Sequence, residues 1–427
     1  MTELVQSLAE VAAKLEEAPY GAEAALGWYC RYPRRFCRAQ AVQLMVDGRE
    51  AFPEMLEGLG KARYTIELET YILADDHTGR SFQHALIEAA GRGVKVRLIY
   101  DWLGSYQLPE SFVRELIEGG VRVAVFHPLV LTRPSRAINR RNHRKIIIID
   151  HKVSFTGGIN LCDSQAPEED GGSGWRDTHI RIMGRETARQ FLLLFEYGWK
   201  IAKPFTPVTG RGKQLKIGLG QNLRNRLSRR TSLRVKRRLA RGRDGVAVQV
   251  IGNEEFRYRY RINRAYISAI KRARHYIFIE NAYFIPNRPV RRALAGAVRR
   301  GVRVVVAVNR AGDHPICVWA GRHTYKELLE AGVKILEWPE MGMLHAKTAV
   351  IDDIWAIVGS YNFDHRSLIH SLEAVAIIVD PVFGKHLREQ TLRDFSQARE
   401  IRLAEHNARP WHVKLRDYLA WQFHYWL

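Results

Sequence analysis

HRKIIIIDHKVSFTGGIN, residues 143–160, has a counterpart in HAKTAVIDDIWAIVGSYN, residues 345–362, about two hundred positions further along the 427-residue chain. Both carry H-x-K-x4-D, as His143, Lys145 and Asp150 and as His345, Lys347 and Asp352. Each continues at equal spacing into a small-residue pair and an asparagine: Gly157, Gly158 and Asn160 in one, Gly359, Ser360 and Asn362 in the other. One copy would arise by chance in roughly a few per hundred chains of this length. Two copies with matching downstream residues mark an internal repeat.

The runs after the two lysines are short, apolar and β-branched, and turn-forming Asp-His-Lys and Asp-Asp bound them, so both read as buried strands. Side chains alternate along a strand, which puts His143 and Lys145 on one face, and His345 and Lys347 likewise. Asp150 and Asp352 fall on the other parity where a turn begins, and read as structural. An imidazole beside a fixed positive charge can attack or protonate next to an anionic oxygen. Two such pairs facing each other would grip a phosphodiester. A single His on a strand is as readily a satisfied core residue, and it is the duplication that weighs against that reading. The spacing of the 16 histidines matches no common zinc motif and lysine is not a usual ligand, so no metal site is expected.

The repeat extends well beyond the motif. ARYTIELETYI from Ala62 matches ARHYIFIENAYFI from Ala273, RGVKVRLIYD from Arg92 matches RGVRVVVAVN from Arg300, and LIEGGVRVAVF from Leu116 matches LLEAGVKILEW from Leu328. Each half reads strand, helix, strand, helix, strand, then the motif strand and its hairpin partner, an α/β pattern with a mostly parallel mixed sheet. Past the motifs, Asp177 and Glu373 open another matching pair of strands, where each can accept a hydrogen bond from an imidazole and set its tautomer. Glu69 and Glu280, equivalent in the first strands, read equally as neighbours of that site or as ordinary strand-end charges.

With IELETYILADDHTGR, GWRDTHIRI, YFIPN and GSYNFDHRS, the doubled motif resembles the phospholipase D superfamily over roughly residues 40–380. Within it the chain looks most like bacterial cardiolipin synthases of the shorter type that lacks a transmembrane hairpin. The resemblance implies two tandem, pseudo-twofold-related phospholipase D-like domains with one active site at their interface, working without metal or other cofactor. It implies phosphatidyl transfer through a phosphohistidine, with phosphatidylglycerol as donor and acceptor. By likeness to better-known members His143 is the nucleophile and His345 the acid/base, although the internal symmetry itself gives no preference. Lys145, Lys347, Asn160 and Asn362 would then hold the nonbridging phosphate oxygens, with Asp177 and Glu373 orienting the imidazoles.

Composition bounds the rest. With 46% hydrophobic and 26% charged residues the chain is a folded globular protein long enough for two cores. Its apolar runs fall short of the roughly 20 residues that span a bilayer, and the acidic N-terminus is no signal peptide, so we expect it peripherally on the cytoplasmic side of the cell membrane. Four scattered cysteines form no disulfide framework, in keeping with a reducing compartment. A net charge of +22 calls for an anionic partner, lipid surface or nucleic acid. It is densest in a linker between the repeats, residues 210–244, where leucines among the arginines also allow short basic helices on anionic lipid. A second cluster, Arg133, Arg136, Arg140 and Arg141, precedes the first motif and is expected at the mouth of the site as an anion-binding group. The divisions are then 1–39, a helical extension; 40–209, the first domain; 210–244; 245–400, the second domain; and 401–427.

That last segment places Trp411, Leu415, Tyr418, Leu419 and Trp426 near one helical face. It reads equally as a helix docked on its own domain or as an element of the bilayer interface, with Trp411 and Trp426 as lipid contacts. The same core motif serves hydrolytic phospholipase D and nucleases of the superfamily. The likeness around both motifs and the Trp-rich end favour lipid, with no obligate nucleic acid, and because both motifs lie in one chain a monomer suffices.

Overall fold

Continuous apolar runs such as Ile146–Ile149 need partners on both faces, and the fold supplies them. The structure is a computed structural model that describes residues 22–30, 32–128, 139–205, 245–254, 258–339 and 342–427. The linker at 210–244, Arg133 and Arg136 lie outside these residues. In chain order the first half contributes β1 (Cys37–Ala39), β2 (Ala41–Val46), β3 (Thr65–Thr70), β4 (Lys95–Asp101), β5 (Arg122–Phe126), β6 (Ile146–Ile149), β7 (Val153–Gly157), β8 (Thr178–Met183) and β9 (Lys203–Pro204). The second contributes β10 (Val246–Asn253), β11 (Tyr276–Asn281), β12 (Arg303–Asn309), β13 (Lys334–Trp338), β14 (Lys347–Ile351), β15 (Trp355–Gly359), β16 (Glu373–Val379) and β17 (Arg399–Glu400).

Two sheets result, ordered β2-β8-β7-β6-β3-β4-β5-β9 and β1-β10-β16-β15-β14-β11-β12-β13-β17. The orders coincide strand for strand, except that β1 leaves the first half to pair with β10 at the edge of the second sheet. Helices flank the sheets, so the α/β class with two repeated mixed sheets holds. The parallel share is smaller than the βα pattern suggested. β3, β4 and β5 pair parallel, as do β11, β12 and β13, while the motif hairpins and the strands beyond them pair antiparallel. A parallel neighbour requires a crossover connection, and from β6 to β7 and from β14 to β15 the chain returns through only three residues instead.

Each motif strand feeds two cores. Ile146 and Ile148 enter a core shared by the two sheets, together with Ile180, Phe191, Val248, Val350, Val358 and Ala376. Ile147 and Ile149 point to the outer core of the first half, and Ala349 and Ile351 to that of the second. Burial on both faces is why these strands show no polar alternation.

The motif aspartates lie in the hairpin turns. Asp150 and His151 have φ of 50° and 51°, and Asp352 and Asp353 have 53° and 57°, the left-handed pair that a type I′ turn requires. From there the Asp150 carboxylate accepts backbone N–H groups of Arg63, Tyr64 and Thr65 at 3.0, 2.6 and 2.9 Å. Asp352 does the same for Arg274, His275 and Tyr276 at 2.8, 2.9 and 2.8 Å, and also accepts the Tyr29 hydroxyl at 2.6 Å. Each aspartate thus ties its hairpin to the start of the neighbouring strand. We expect Asp352→Asn, which tolerates the same φ but loses the charged acceptor, to lower unfolding free energy by about 2 kcal/mol in a denaturant titration.

Candidate active site

The motif histidines and lysines sit at the ends of β6 and β14, where the halves meet. His143 precedes β6 by three residues and His345 precedes β14 by two, so the first strand coincides with its apolar run and His143 and Lys145 lie just ahead of it rather than on it. Here the backbone bridges to the opposite half: His143 N donates to Leu372 O at 2.9 Å and His345 N to Arg176 O at 2.7 Å. Leu372 and Arg176 each precede one of the strand-opening acids. The pseudo-twofold contact therefore carries each acid to the other half's histidine.

His345 Nδ1 lies 2.6 Å from Asp177 Oδ2, and His143 Nδ1 lies 3.1 Å from Glu373 Oε2 and 3.1 Å from the Ser360 carbonyl oxygen. Two acceptors around His143 Nδ1 make it the protonated nitrogen, which leaves the Nε2 lone pair for chemistry. At His345, Gln165 Nε2 also approaches Nδ1 at 3.3 Å, while Gln165 Oε1 is buried without a partner. Turning that carboxamide over sets the oxygen, rather than a second donor, against the imidazole N–H that Asp177 holds.

The lysines fold back on their own motifs: Lys145 Nζ donates to His143 O at 2.9 Å, and Lys347 Nζ donates to His345 O. Burial, with repulsion from Lys347, lowers Lys145 to about 7, and burial lowers Lys347 to about 8 against the pull of Asp177 and Glu373. Burial and Lys145 press His143 down to about 4, and burial with both lysines holds His345 well below the usual imidazole range. Burial favours the acid form of Glu373, yet His143, Lys145 and the Ser360 hydroxyl outweigh it and keep the carboxyl below its usual range. At Asp177 burial prevails over Lys347 and raises the carboxyl. The cluster is desolvated, with uncharged imidazoles and two lysines whose positive charge an anionic ligand between them would stabilise.

Asn160 Oδ1 accepts Ile72 N–H at 3.3 Å, and Asn362 is buried with its carboxamide oxygen unpartnered. Gly158 and Ser360, equivalent positions at which the two repeats differ, match their acids. A Cβ on Gly158 would collide with the Asp177 carboxylate, whereas Ser360 Oγ donates to the longer Glu373, which also accepts Ser367 Oγ at 2.8 Å. Gly158→Ala is accordingly expected to push Asp177 off His345 and lower kcat at least about tenfold, with little change in KM.

Tyr71 and Trp175 complete the walls. Tyr71 stands edge-on to His143 with ring centroids 5.0 Å apart and lies 5.3 Å from Lys145 Nζ, and Trp175 tilts against His345 at 5.4 Å. Neither is part of the motif, though Trp175 directly precedes the Arg176-Asp177 pair and Tyr71 follows Glu69 by two. Glu69 and Glu280 are not surface charges. Both are buried, with Asn142 donating to Glu69 and Thr348 to Glu280, so they brace the residues beside the motifs from below. Arg176 is clamped by Asp394 through contacts of 2.9 and 2.7 Å, joining the Asp177 strand to helix Pro381–Gln397 of the other half.

The basic cluster ahead of the first motif needs correction at Arg141. It is 1% exposed and binds Asp101 at 3.2 Å and the His127 carbonyl, because a fully desolvated guanidinium demands a carboxylate partner. It does not face an anionic ligand. Arg140, half-buried, donates to the Tyr197 hydroxyl at 2.8 Å. Among the described residues no group of three or more His, Cys, Asp and Glu is placed to hold a metal ion.

A family model described as cardiolipin synthase, PLD-like domain, matches residues 55–199 and 266–395. A cardiolipin synthase of Geobacillus thermodenitrificans (strain NG80-2) is 33% identical over 377 residues, 88% of this chain and 70% of that one. The major cardiolipin synthase ClsA of Bacillus subtilis (strain 168) is 31% identical over 383 residues, 90% and 74% of the two chains. Among solved structures, the phosphatidylserine synthase of Haemophilus influenzae Rd KW20 superposes with a TM-score of 0.68 at 14% identity, covering 92% of this chain and 97% of that one.

Proposed function

The chain belongs to the phospholipase D-like family of cardiolipin synthases, and on that basis we propose that it condenses two phosphatidylglycerol molecules into cardiolipin and glycerol. The observation that carries the reading is the crossed pairing of His143 with Glu373 and His345 with Asp177 around two buried lysines. His143 Nε2 attacks the phosphorus of the donor, forming a P–N bond as the bond to the glycerol oxygen breaks. His345 gives its proton to that oxygen, and glycerol leaves. The hydroxyl of a second phosphatidylglycerol then returns a proton to His345 while its oxygen attacks phosphorus and breaks the P–N bond.

Lys145, Lys347, Asn160 and Asn362 are assigned to the nonbridging oxygens, where charge shifts in the transition state. The substrate's own charge makes the acid available: a phosphodiester between the lysines offsets their repulsion and lets His345 hold a proton. Glu373 and Asp177 orient the imidazoles. The enzyme would act peripherally from the cytoplasmic side, where the +22 charge favours anionic lipid.

In this reading kcat/KM rises with pH through about 4, as His143 becomes neutral, and falls on the alkaline side as His345 gives up the proton it must donate and then, near 7 and 8, as Lys145 and Lys347 lose theirs. Lys145→Arg, which stays charged, is expected to move the alkaline limb toward 8. A pH–rate profile on both proteins checks this. The reaction itself is tested by incubating the purified protein with chelator and either phosphatidylglycerol vesicles or single-stranded DNA. Cardiolipin with equimolar glycerol supports the transferase, phosphatidic acid alone makes the protein a hydrolase, and cut DNA with intact lipid makes it a nuclease.

A further inference from the structure

The C-terminal helix Trp411–Gln422 is packed inside out. It lies on helix Pro315–Glu330 through Ala420, Trp421 and Asp417, of which Asp417 is only 1% exposed, with Arg409 and Arg416 at 2.6 and 2.9 Å from its carboxylate. Trp411, Leu415, Tyr418 and Leu419 face outward and are 75%, 45%, 45% and 51% exposed. Beyond the helix Phe423 and Trp426 continue the stripe at 57% and 58%. At 100° per residue Trp411, Leu415, Tyr418 and Leu419 fall on one side of the cylinder, and Asp417, Ala420 and Trp421 on the other. A helix that only had to pack on its own domain would do the reverse.

The surroundings of the stripe name its occupant. Lys414 and Arg416 fall on its two flanks at the same helical spacing, and the helix's one acid is the buried Asp417. An apolar stripe rich in Trp and Tyr, bordered by cations and free of exposed acid, matches a helix lying in the plane of an anionic bilayer. The segment is also tied to the active site. Arg366 N donates to Leu427 O at 2.7 Å and the Tyr425 ring lies 4.8 Å from that of His365. Arg366 belongs to the loop that runs from Asn362 to Leu372, whose carbonyl holds the His143 backbone. Between the loop and the terminal segment opens a crevice of about 450 Å³, walled by Tyr361, Phe363, His365, Arg288, Trp421 and His424.

We propose that the face formed by Trp411, Leu415, Tyr418, Leu419, Phe423 and Trp426 inserts into the interface of an anionic phospholipid bilayer and seats the mouth of the phosphatidyltransfer site on the membrane. The proposal rests on the lipid reading of that site. The test uses the full chain carrying Leu415→Glu and Leu419→Glu, exposed positions outside the site. Cosedimentation with phosphatidylglycerol vesicles and turnover of those vesicles should each fall at least tenfold. Turnover of dihexanoyl phosphatidylglycerol, dissolved as monomers below its micellar concentration, should stay at the unsubstituted level, which also shows that the variant folds. Undiminished sedimentation and vesicle turnover overturn the proposal. So does a variant that still binds vesicles but sediments as a monomer in the ultracentrifuge where the unsubstituted chain is a dimer, since a second copy then covers the stripe. Should the unsubstituted protein turn over neither form of the lipid, the transferase reading fails, while sedimentation still decides the role of the stripe.

Discussion

His143→Ala and His345→Ala are each expected to lower kcat by about 10⁴-fold or more while leaving the circular dichroism spectrum and unfolding midpoint close to those of the unsubstituted protein. Each imidazole stands at the surface of the site rather than within a core, and losing it removes a nucleophile or a proton that no neighbour replaces. The two variants should fail differently. A phosphatidyl donor with a nitrophenol leaving group needs no proton from His345, so His345→Ala should still release nitrophenol in a single burst and accumulate an acid-labile phosphohistidine on His143. His143→Ala should give no burst. A burst in His143→Ala and none in His345→Ala would exchange the two roles, and full turnover in either would end the mechanism.

Asp177→Asn and Glu373→Gln should each lower kcat by about 10²- to 10⁴-fold, because an amide facing Nδ1 permits the wrong tautomer and no longer steadies the imidazolium. The crossed geometry makes a sharper statement than the loss of rate. A low-field Nδ1 proton resonance of His345 should disappear in Asp177→Asn and survive in Glu373→Gln, and that of His143 should show the opposite pattern. Coupling within each half, Asp177 with His143 or Glu373 with His345, would contradict the architecture.

Much of this site was legible along the chain because its parts obey local rules. H-x-K puts an imidazole and an amine side by side whatever the rest of the fold does, and an Asp at the end of an apolar run has a turn to make. The GG against GS difference was also visible, although its meaning was not: only with Asp177 lying over Gly158, and Ser360 donating to Glu373, does the substitution become a fit between a short acid and bare backbone and between a long acid and a hydroxyl. Tyr71, Trp175 and Gln165 carried no motif, since their place at the imidazoles comes from loops whose course no periodicity describes. Arg141 was misplaced because four nearby arginines read as one patch, when the partner that buries this one, Asp101, lies forty residues upstream.

By itself the sequence determined a duplicated α/β unit and the two turn aspartates, and it singled out the eight polar residues proposed for phosphate chemistry, because repeat spacing, strand alternation and turn chemistry are properties of neighbours in the chain. Only the tertiary structure decided which acid serves which histidine, that β1 joins the far sheet, and that helix Trp411–Gln422 shows its apolar face to the outside. Each of these depends on how surfaces some two hundred residues apart dock about the pseudo-twofold axis. Helical or strand periodicity states which residues share a face; what that face meets is settled by the shape and charge of the partner surface.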